Sequence, residues 1–201
     1  PDSLTIDSNN LYVNTREGKD TITGSSTVEY VSIESGESND TLTFTSEVVG
    51  SNFKLGNGDD NLIVNDFSGS IYGGTGKDSI EINQSRTLLD SLIRGDGGND
   101  QLNLGNIANS IINTNGDDDT VTINGNLVDS QIYTGRQQDT IQVSGKAINS
   151  LIRGDANQDI ITISSDLTNS TVNGNAGDDH LIINSALQHP RLYMAAKEKT
   201  I

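Results

Sequence analysis

The sequence predicts an all-β protein whose chain winds into a parallel β-solenoid. Three observations predict this fold class: an aspartate recurs about every 20 residues, alternating apolar residues follow it, and a glycine-rich stretch often precedes it. The aspartates are Asp2, Asp20, Asp40, Asp60, Asp78, Asp100, Asp119, Asp139, Asp159 and Asp179, with separations of 18 to 22 residues. A repeat of this length is typical of solenoid and array proteins.

Each period carries apolar columns for two short strands. The residues two and four positions after the aspartate face one side of a strand, and they are apolar in nearly every period, as in Leu102 and Leu104. A second apolar column stands seven residues before the aspartate. It contains Val13, Ile33, Phe53, Ile71, Ile93, Ile112, Ile132, Ile152 and Val172. We therefore expect about nine coils of two short strands.

Two turns connect the strands of each coil. One is rich in glycine and ends at the aspartate, whereas the other carries an Asn or Asp directly before a serine column that includes Ser110, Ser130, Ser150 and Ser170. Asn, Asp and Ser side chains commonly hydrogen-bond the amides of turns. We interpret this second turn as a ladder of Asx and Ser side chains.

Like strands of successive coils stack about 4.8 Å apart, so nine coils form a rod about 43 Å long. Its interior is a narrow column of Ile, Val and Leu side chains. A solenoid of this kind explains how a chain with only 32% apolar residues folds.

The repeat also predicts the domain organisation. We expect a β-solenoid repeat domain over residues 1–187 and a C-terminal cap or connection over residues 188–201, where helix-forming residues replace the repeat. The first residues, "DSLTI", match the second half of a coil, so the chain starts in mid-coil and is expected to be part of a longer protein.

Composition limits the classes of partner. With 28 acidic against 12 basic residues the formal net charge is -16, which disfavours nucleic acids and anionic membrane surfaces and suits divalent cations. No apolar run approaches the roughly 20 residues that span a bilayer, so membrane insertion is not expected. The chain has no Cys, which excludes disulfides and thiolate metal sites.

The glycine-rich turn is not a phosphate-binding loop, because it precedes a strand rather than a helix and recurs in each coil. The stretch "GGTGKDSIE" from Gly73 to Glu81 resembles the calcium-binding nonapeptide of the RTX (repeats-in-toxin) family, which builds parallel β-rolls. The stretches "LGNGDD", "GDGGND" and "GNAGDD" are close relatives. The coils here prefer 20 residues and carry the motif at one end only, and several turns, such as "TGRQQD", have drifted from it.

The resemblance implies calcium between the turns of adjacent coils, held by backbone carbonyl groups and aspartates. Ca²⁺ takes six to eight hard oxygen ligands with lenient geometry, so such turns suit its chemistry. The metal candidates are Gly56, Gly58, Asp60, Gly73, Thr75, Asp78, Gly95, Gly97, Asp100, Asp119 and Asp179. The expected sites lie between the Asp60 and Asp78 turns and between the Asp78 and Asp100 turns. A second calcium row at the Asx and Ser turn is the alternative there.

The alternative for the aspartate column is that each carboxylate accepts amide hydrogen bonds within its turn and binds no metal. Electrostatic repulsion favours calcium over a column without metal, since carboxylates one coil apart repel by about 3.5 kcal/mol per pair at an effective dielectric constant of 20. A continuous column therefore needs cations, protons or exposure to solvent.

The predicted function is a non-catalytic, calcium-binding structural or adhesive module of a large secreted or cell-surface protein, such as an adhesin, a surface layer or an RTX-like protein. No catalytic residues are expected, because the chain has only His180 and His189 and no convergent acid and base groups. The alternative is a carbohydrate-binding or carbohydrate-cleaving β-helix, for instance a phage tail fibre segment, that uses Tyr72, Arg94, Tyr133 and Arg153. Glycans and other copies or domains of the same surface protein are the candidate partners.

Overall fold

The computed structural model describes residues 1–83, 87–184, 187–188 and 191–193, the last two ranges by their backbone. Every regular element in these ranges is a β-strand, and the strands of successive coils pair in parallel. The chain therefore forms a β-solenoid of about nine coils of about 20 residues each, which confirms the predicted fold class. None of the described segments is a helix long and apolar enough to cross a membrane.

The coil has three sides, and each side contributes one strand to a parallel sheet. In each coil, the strand of sheet A follows the aspartate, the strand of sheet B is a short one beyond it, and the strand of sheet C leads into the glycine-rich turn. Sheet A contains Ser3–Thr5, Thr21–Gly24, Ser79–Ile82, Gln101–Leu104, Thr120–Ile123, Thr140–Val143, Ile160–Ile163 and His180–Ile183. Sheet B contains Val28–Glu29, Thr87–Leu89, Asn106–Ala108, Leu127–Val128, Ala147–Ile148, Leu167–Thr168 and Leu187–Gln188. Sheet C contains Tyr12–Asn14, Ser32–Glu37, Leu92–Gly97, Ile111–Gly116, Gln131–Gly135, Leu151–Ala156, Thr171–Ala176 and Arg191–Tyr193.

Two coils are continuous strands that run through all three sheets, Thr41–Asn57 and Asn61–Thr75. The pairing places equivalent residues of successive coils opposite each other. Leu102 pairs with Val121 in sheet A, and Ile93 pairs with Ile112 in sheet C. The apolar columns read from the sequence are therefore real stacks, and their side chains are buried except near the two ends, where Val13, Leu181 and Ile183 are partly buried.

The third strand corrects the expectation of two strands per coil. Its two or three residues contribute a single buried side chain, such as Leu127 or Leu167, so the sequence shows no alternation there. The distance of this side chain from the preceding aspartate also varies, from seven residues for Ile107 to ten for Leu88. A single apolar residue at a variable position is a weak signal for a strand.

Aromatic side chains fill the core of the early coils. The ring centroids of Phe44 and Phe53 lie 5.1 Å apart, and those of Phe53 and Phe67 lie 5.5 Å apart. Gly24 interrupts the apolar column for a steric reason, since a Cβ atom there would stand 2.4 Å from the Phe44 ring.

The turn between sheets B and C is the predicted Asx and Ser ladder. The residue before each serine has a positive φ, for example 49° at Asn109 and 47° at Asp129, a conformation that Asn and Asp tolerate better than most residues. Each buried serine accepts the amide of the preceding coil, as Ser130 Oγ does from Ser110 N at 3.1 Å, and donates to the carbonyl two residues earlier, as Ser130 does to Val128. These hydrogen bonds satisfy the backbone groups of the turn with serine side chains of the protein itself.

Part of the expected C-terminal segment can be placed. Leu187–Gln188 and Arg191–Tyr193 pair with the strands of the preceding coil. The predicted cap or connection otherwise falls on residues 189–190 and 194–201, which lie outside the described residues.

Candidate functional site

The glycine-rich turn has the same backbone conformation in all nine coils. Its residues four and two positions before the aspartate all have φ between 68° and 150°. They are Arg16, Gly36, Gly56, Gly74, Asp96, Asn115, Gly135, Asp155 and Asn175 at the first position, and Gly18, Ser38, Gly58, Gly76, Gly98, Asp117, Gln137, Asn157 and Gly177 at the second. The drifted turns therefore keep the fold of the glycine-rich ones, and Gly, Asn and Asp prevail because left-handed backbone favours them.

The aspartates point into the solenoid and form a buried column. The nine members from Asp20 to Asp179 are between 0 and 8% exposed. The Oδ1 atom of each accepts the amide of the aspartate one coil earlier, as in Asp60 N to Asp78 Oδ1 and Asp78 N to Asp100 Oδ1, both 2.9 Å. The predicted amide bonds thus exist, but they join neighbouring coils instead of closing one turn.

The second carboxylate oxygen has no such partner. The Oδ2 atoms without a hydrogen bond belong to Asp20, Asp40, Asp60, Asp78, Asp100, Asp119, Asp139, Asp159 and Asp179. A buried charge without a partner costs much free energy, so it is neutralised by a proton or a counter-ion. The alternative in which the aspartates serve only the turn leaves nine buried oxygens unexplained.

Burial raises the pKa of the carboxyl groups from Asp40 to Asp159 in this column. The pKa rises to about 8 at Asp78 and Asp119, to about 7 at Asp159, and to about 6 at Asp60, Asp100 and Asp139. Desolvation is the main cause. The amide bond from the preceding aspartate acts in the opposite direction, while neighbouring carboxylates add to the rise. The column is therefore partly protonated near neutral pH when no cation is bound.

The residue five positions before each aspartate lies beside its carboxyl group, and we call this residue the corner residue. The corner residues are Thr15, Ser35, Leu55, Gly73, Gly95, Thr114, Thr134, Gly154 and Gly174. The hydroxyl group of a Ser or Thr corner donates to the carbonyl of the next corner, as Thr114 does to Thr134 O at 3.1 Å and Ser35 does to Leu55 O at 2.8 Å. These corners are closed by a side chain.

The glycine corners have no side chain, and oxygen atoms occupy the place where one would stand. A Cβ atom on Gly73 would stand 2.5 Å from both Asp78 Oδ2 and the carbonyl oxygen of Gly95. A Cβ atom on Gly95 would stand 2.2 Å from Asp100 Oδ2. At Gly73, a carboxylate oxygen without a hydrogen-bond partner and the carbonyl oxygen of the next coil thus converge where the hydroxyl coils place a side chain.

The oxygens present at the glycine corners fit a hard cation such as Ca²⁺, which binds carboxylate and carbonyl oxygens. In the part of the chain that the structure describes, no three acidic or histidine side chains form a metal-binding group. Aspartates of successive coils would therefore hold the ion together with backbone carbonyl groups. His180 is exposed, and His189 lies outside the described residues.

The structure places the metal candidates at five positions of the turn. Asp60, Asp78, Asp100, Asp119 and Asp179 lie in the buried column, Gly73 and Gly95 are corner residues, and Gly56 and Gly58 supply positive φ. Thr75 and Gly97 lie three positions before their aspartates, and their carbonyl groups accept the amides of Gly58 and Gly76 at 2.8 Å.

Sequence reasoning missed the corner residues as a set, and with them Gly154 beside Asp159. A Cβ atom on Gly154 would stand 2.1 Å from Asp159 Oδ2, so this drifted turn has a corner of the same kind as Gly95. The signal that could have found it is the alternation of Gly with Ser and Thr at a fixed distance from the aspartate.

A second candidate surface lies on the outer face of sheet C. Arg94 Cζ stands 5.9 Å from the ring centroid of Tyr72, and Arg94 pairs with Asp96 at 2.7 Å. The same arrangement recurs three coils later, where Arg153 Cζ stands 5.5 Å from the Tyr133 ring centroid and pairs with Asp155 at 2.6 Å. We call these the tyrosine–arginine clusters. They lie about 14 Å apart along the rod at 4.8 Å per coil.

Comparison with known proteins gave no match to a family model, to a curated protein or to a solved structure. The repeat and the geometry of its turns therefore carry the functional argument.

Proposed function

We propose that this chain is a non-catalytic, calcium-binding structural module of a secreted or cell-surface protein, similar to the RTX β-rolls. The observation that carries the proposal is the column of nine buried Oδ2 atoms without hydrogen-bond partners. Nine-fold recurrence marks the column as a property of the repeat, and a divalent cation neutralises two carboxylates of successive coils at once.

Cation binding would act on stability. An ion that binds the folded coil but not the unfolded chain raises stability by about 2.7 kcal/mol when its free concentration is one hundred times its dissociation constant. The aspartates would hold the ion together with carbonyl oxygens such as that of Gly95, which converges with Asp78 Oδ2 on the place of the missing side chain. A rod of this kind is rigid where calcium is abundant and less ordered where calcium is scarce.

Isothermal titration calorimetry of chelator-treated protein tests the proposal. We expect heat of binding with calcium and none with magnesium at the same ionic strength, because Mg²⁺ demands a smaller and more regular site. The Asp100→Asn variant is expected to bind fewer ions. The absence of any calcium-specific heat would overturn the proposal.

Carbohydrate recognition is the second candidate function. The observation that favours it is the recurrence of the tyrosine–arginine cluster at about 14 Å, because a glycan with repeating units meets both copies in the same way. Glycan array screening tests it: binding that disappears in both Arg94→Ala and Arg153→Ala supports this function. Binding that is absent from the native protein, or unchanged in the variants, contradicts it.

A further inference from the structure

The corner residues divide the rod into coils of different chemistry. Glycine occupies two adjacent pairs of corners, Gly73 with Gly95 and Gly154 with Gly174, and two hydroxyl corners, Thr114 and Thr134, lie between the pairs. Two further hydroxyl corners, Thr15 and Ser35, lie towards the N-terminus, and Leu55 fills one corner with a buried apolar side chain.

A hydroxyl corner occupies the carbonyl oxygen of the next coil with its own side chain. The Thr114 hydroxyl group reaches the carbonyl oxygen of Thr134, and that of Thr134 reaches the carbonyl oxygen of Gly154, both at 3.1 Å. The Ser35 hydroxyl group reaches the carbonyl oxygen of Leu55 in the same way, at 2.8 Å. At Gly73 no hydroxyl group is present, and the carbonyl oxygen of Gly95 and Asp78 Oδ2 both lie 2.5 Å from the place of a side chain.

We infer that the corner residue decides how each coil is closed: Gly corners are closed by a divalent cation, whereas Ser and Thr corners are closed by their own hydroxyl group. The inference rests on the proposed calcium-binding function and goes further, because it says which coils depend on the ion. The ions lie between the Asp78 and Asp100 coils and between the Asp159 and Asp179 coils. The glycine-rich sequence of the turns also favours an ion between Asp60 and Asp78. That pair has only one glycine corner, because Leu55 occupies the other.

The consequence is a rod with two calcium-dependent segments and a central segment that folds without the ion. Solenoid coils interact only with their neighbours, so the stability of one segment differs from that of the next. The coils that end at Asp119 and Asp139 would keep their structure at low calcium. They would then serve as the folded template on which the flanking coils order when calcium rises.

Hydrogen–deuterium exchange of the native chain, in chelator and in calcium, tests the inference. We expect amides in residues 70–104 and 151–183 to exchange about one hundred times more slowly in calcium, at free calcium one hundred times the dissociation constant. Amides in residues 111–143 are expected to change far less. An equal calcium effect in all three segments would overturn the inference and leave the proposed function standing, whereas no calcium effect in any segment would overturn both.

A pair of variants at one corner separates the hydroxyl group from the space it fills. Thr114→Gly opens the corner, so we expect residues 111–123 to lose protection in chelator and recover it in calcium. Thr114→Val removes the hydroxyl group but fills the corner, so the loss of protection should remain in calcium. The same calcium response in the two variants would contradict the inference, and the exchange pattern of the native chain decides the matter if either variant fails to fold.

Discussion

Each buried aspartate of the column has two oxygens with different surroundings. Oδ1 is bound to an amide of the preceding coil, so it contributes to the fold whether or not a cation is present. Oδ2 has no hydrogen-bond partner, and it is the atom that needs a proton or a cation. Aspartate therefore has two roles here: Oδ1 accepts an amide, and the negative charge attracts a cation. Asparagine could supply the acceptor oxygen but not the negative charge.

Asp78→Asn tests this division. The amide keeps the Oδ1 acceptor, removes the buried charge, and has the Gly95 carbonyl oxygen nearby as an acceptor for its Nδ2 group. In chelator at pH 8 we expect the melting temperature to rise by about 3 °C or more, the shift that 1 kcal/mol produces in a domain of this size. Calcium should then stabilise the variant less than it stabilises the native chain.

Asp139→Asn is the matched control, because its carboxyl group occupies the same column beside the hydroxyl group of Thr134. Its calcium response should equal that of the native chain in thermal melting. Equal losses of calcium response in the two variants would count against the assignment of the ion to the glycine corners.

At the scale of the elements, the two turns of each coil have different sources of stability. The Asx and Ser turn is held by hydrogen bonds of the protein alone, with Ser110, Ser130 and Ser150 linking successive coils. The glycine-rich turn adds a column of carboxylates whose charge must be neutralised.

Ser130→Ala should destabilise the rod by about 1–3 kcal/mol, since it leaves the buried amide of Ser110 without a partner and removes one of the two hydrogen bonds that the carbonyl oxygen of Val128 accepts. The loss should be the same in calcium and in chelator, as measured by urea unfolding under both conditions. Ser164→Ala is the control, because Ser164 is exposed and its loss should change stability little. A loss of stability in Ser130→Ala that depends on calcium would instead support a second row of ions at the Asx and Ser turn.

The sequence predicted the repeat, the parallel stacking and the aspartate column, because each of these recurs at a fixed position of the coil, but it left open whether the carboxyl groups point inward. It missed sheet B, where one buried side chain such as Leu127 gives no alternation. It also missed the contrast between Thr114 and Gly73, because the atoms that meet at a corner come from residues about 20 positions apart. The direction in which a carboxyl group turns depends on these contacts between coils.

At the scale of the whole molecule, the buried negative charge of the column opposes folding until protons or cations neutralise it. The chain carries a formal net charge of -16, and nine of its carboxyl groups are stacked inside the rod. With calcium bound as proposed, protons and calcium ions would compete for the same oxygens, so pH and calcium would affect stability together.

The stability of the rod in chelator is expected to fall as the pH rises from about 5 to about 9. The pKa values of six column aspartates are raised from 3.8 to between about 6 and about 8 in the fold, so the folded state binds more protons than the unfolded state in this range. Their contribution is present at low pH and is lost as the pH rises through the raised values. Thermal melting across this range, with calcium as the comparison, should show a steep decline in chelator and a shallow one in calcium.

The most direct test of the central claim is thermal melting of the chelator-treated protein at pH 8, followed by far-UV circular dichroism, with and without added calcium and with magnesium as the control. A buried column that needs a cation predicts a melting temperature that rises with calcium concentration and not with magnesium. Identical melting curves in chelator and in saturating calcium would show that the aspartate column is stable without a metal, and would contradict the account.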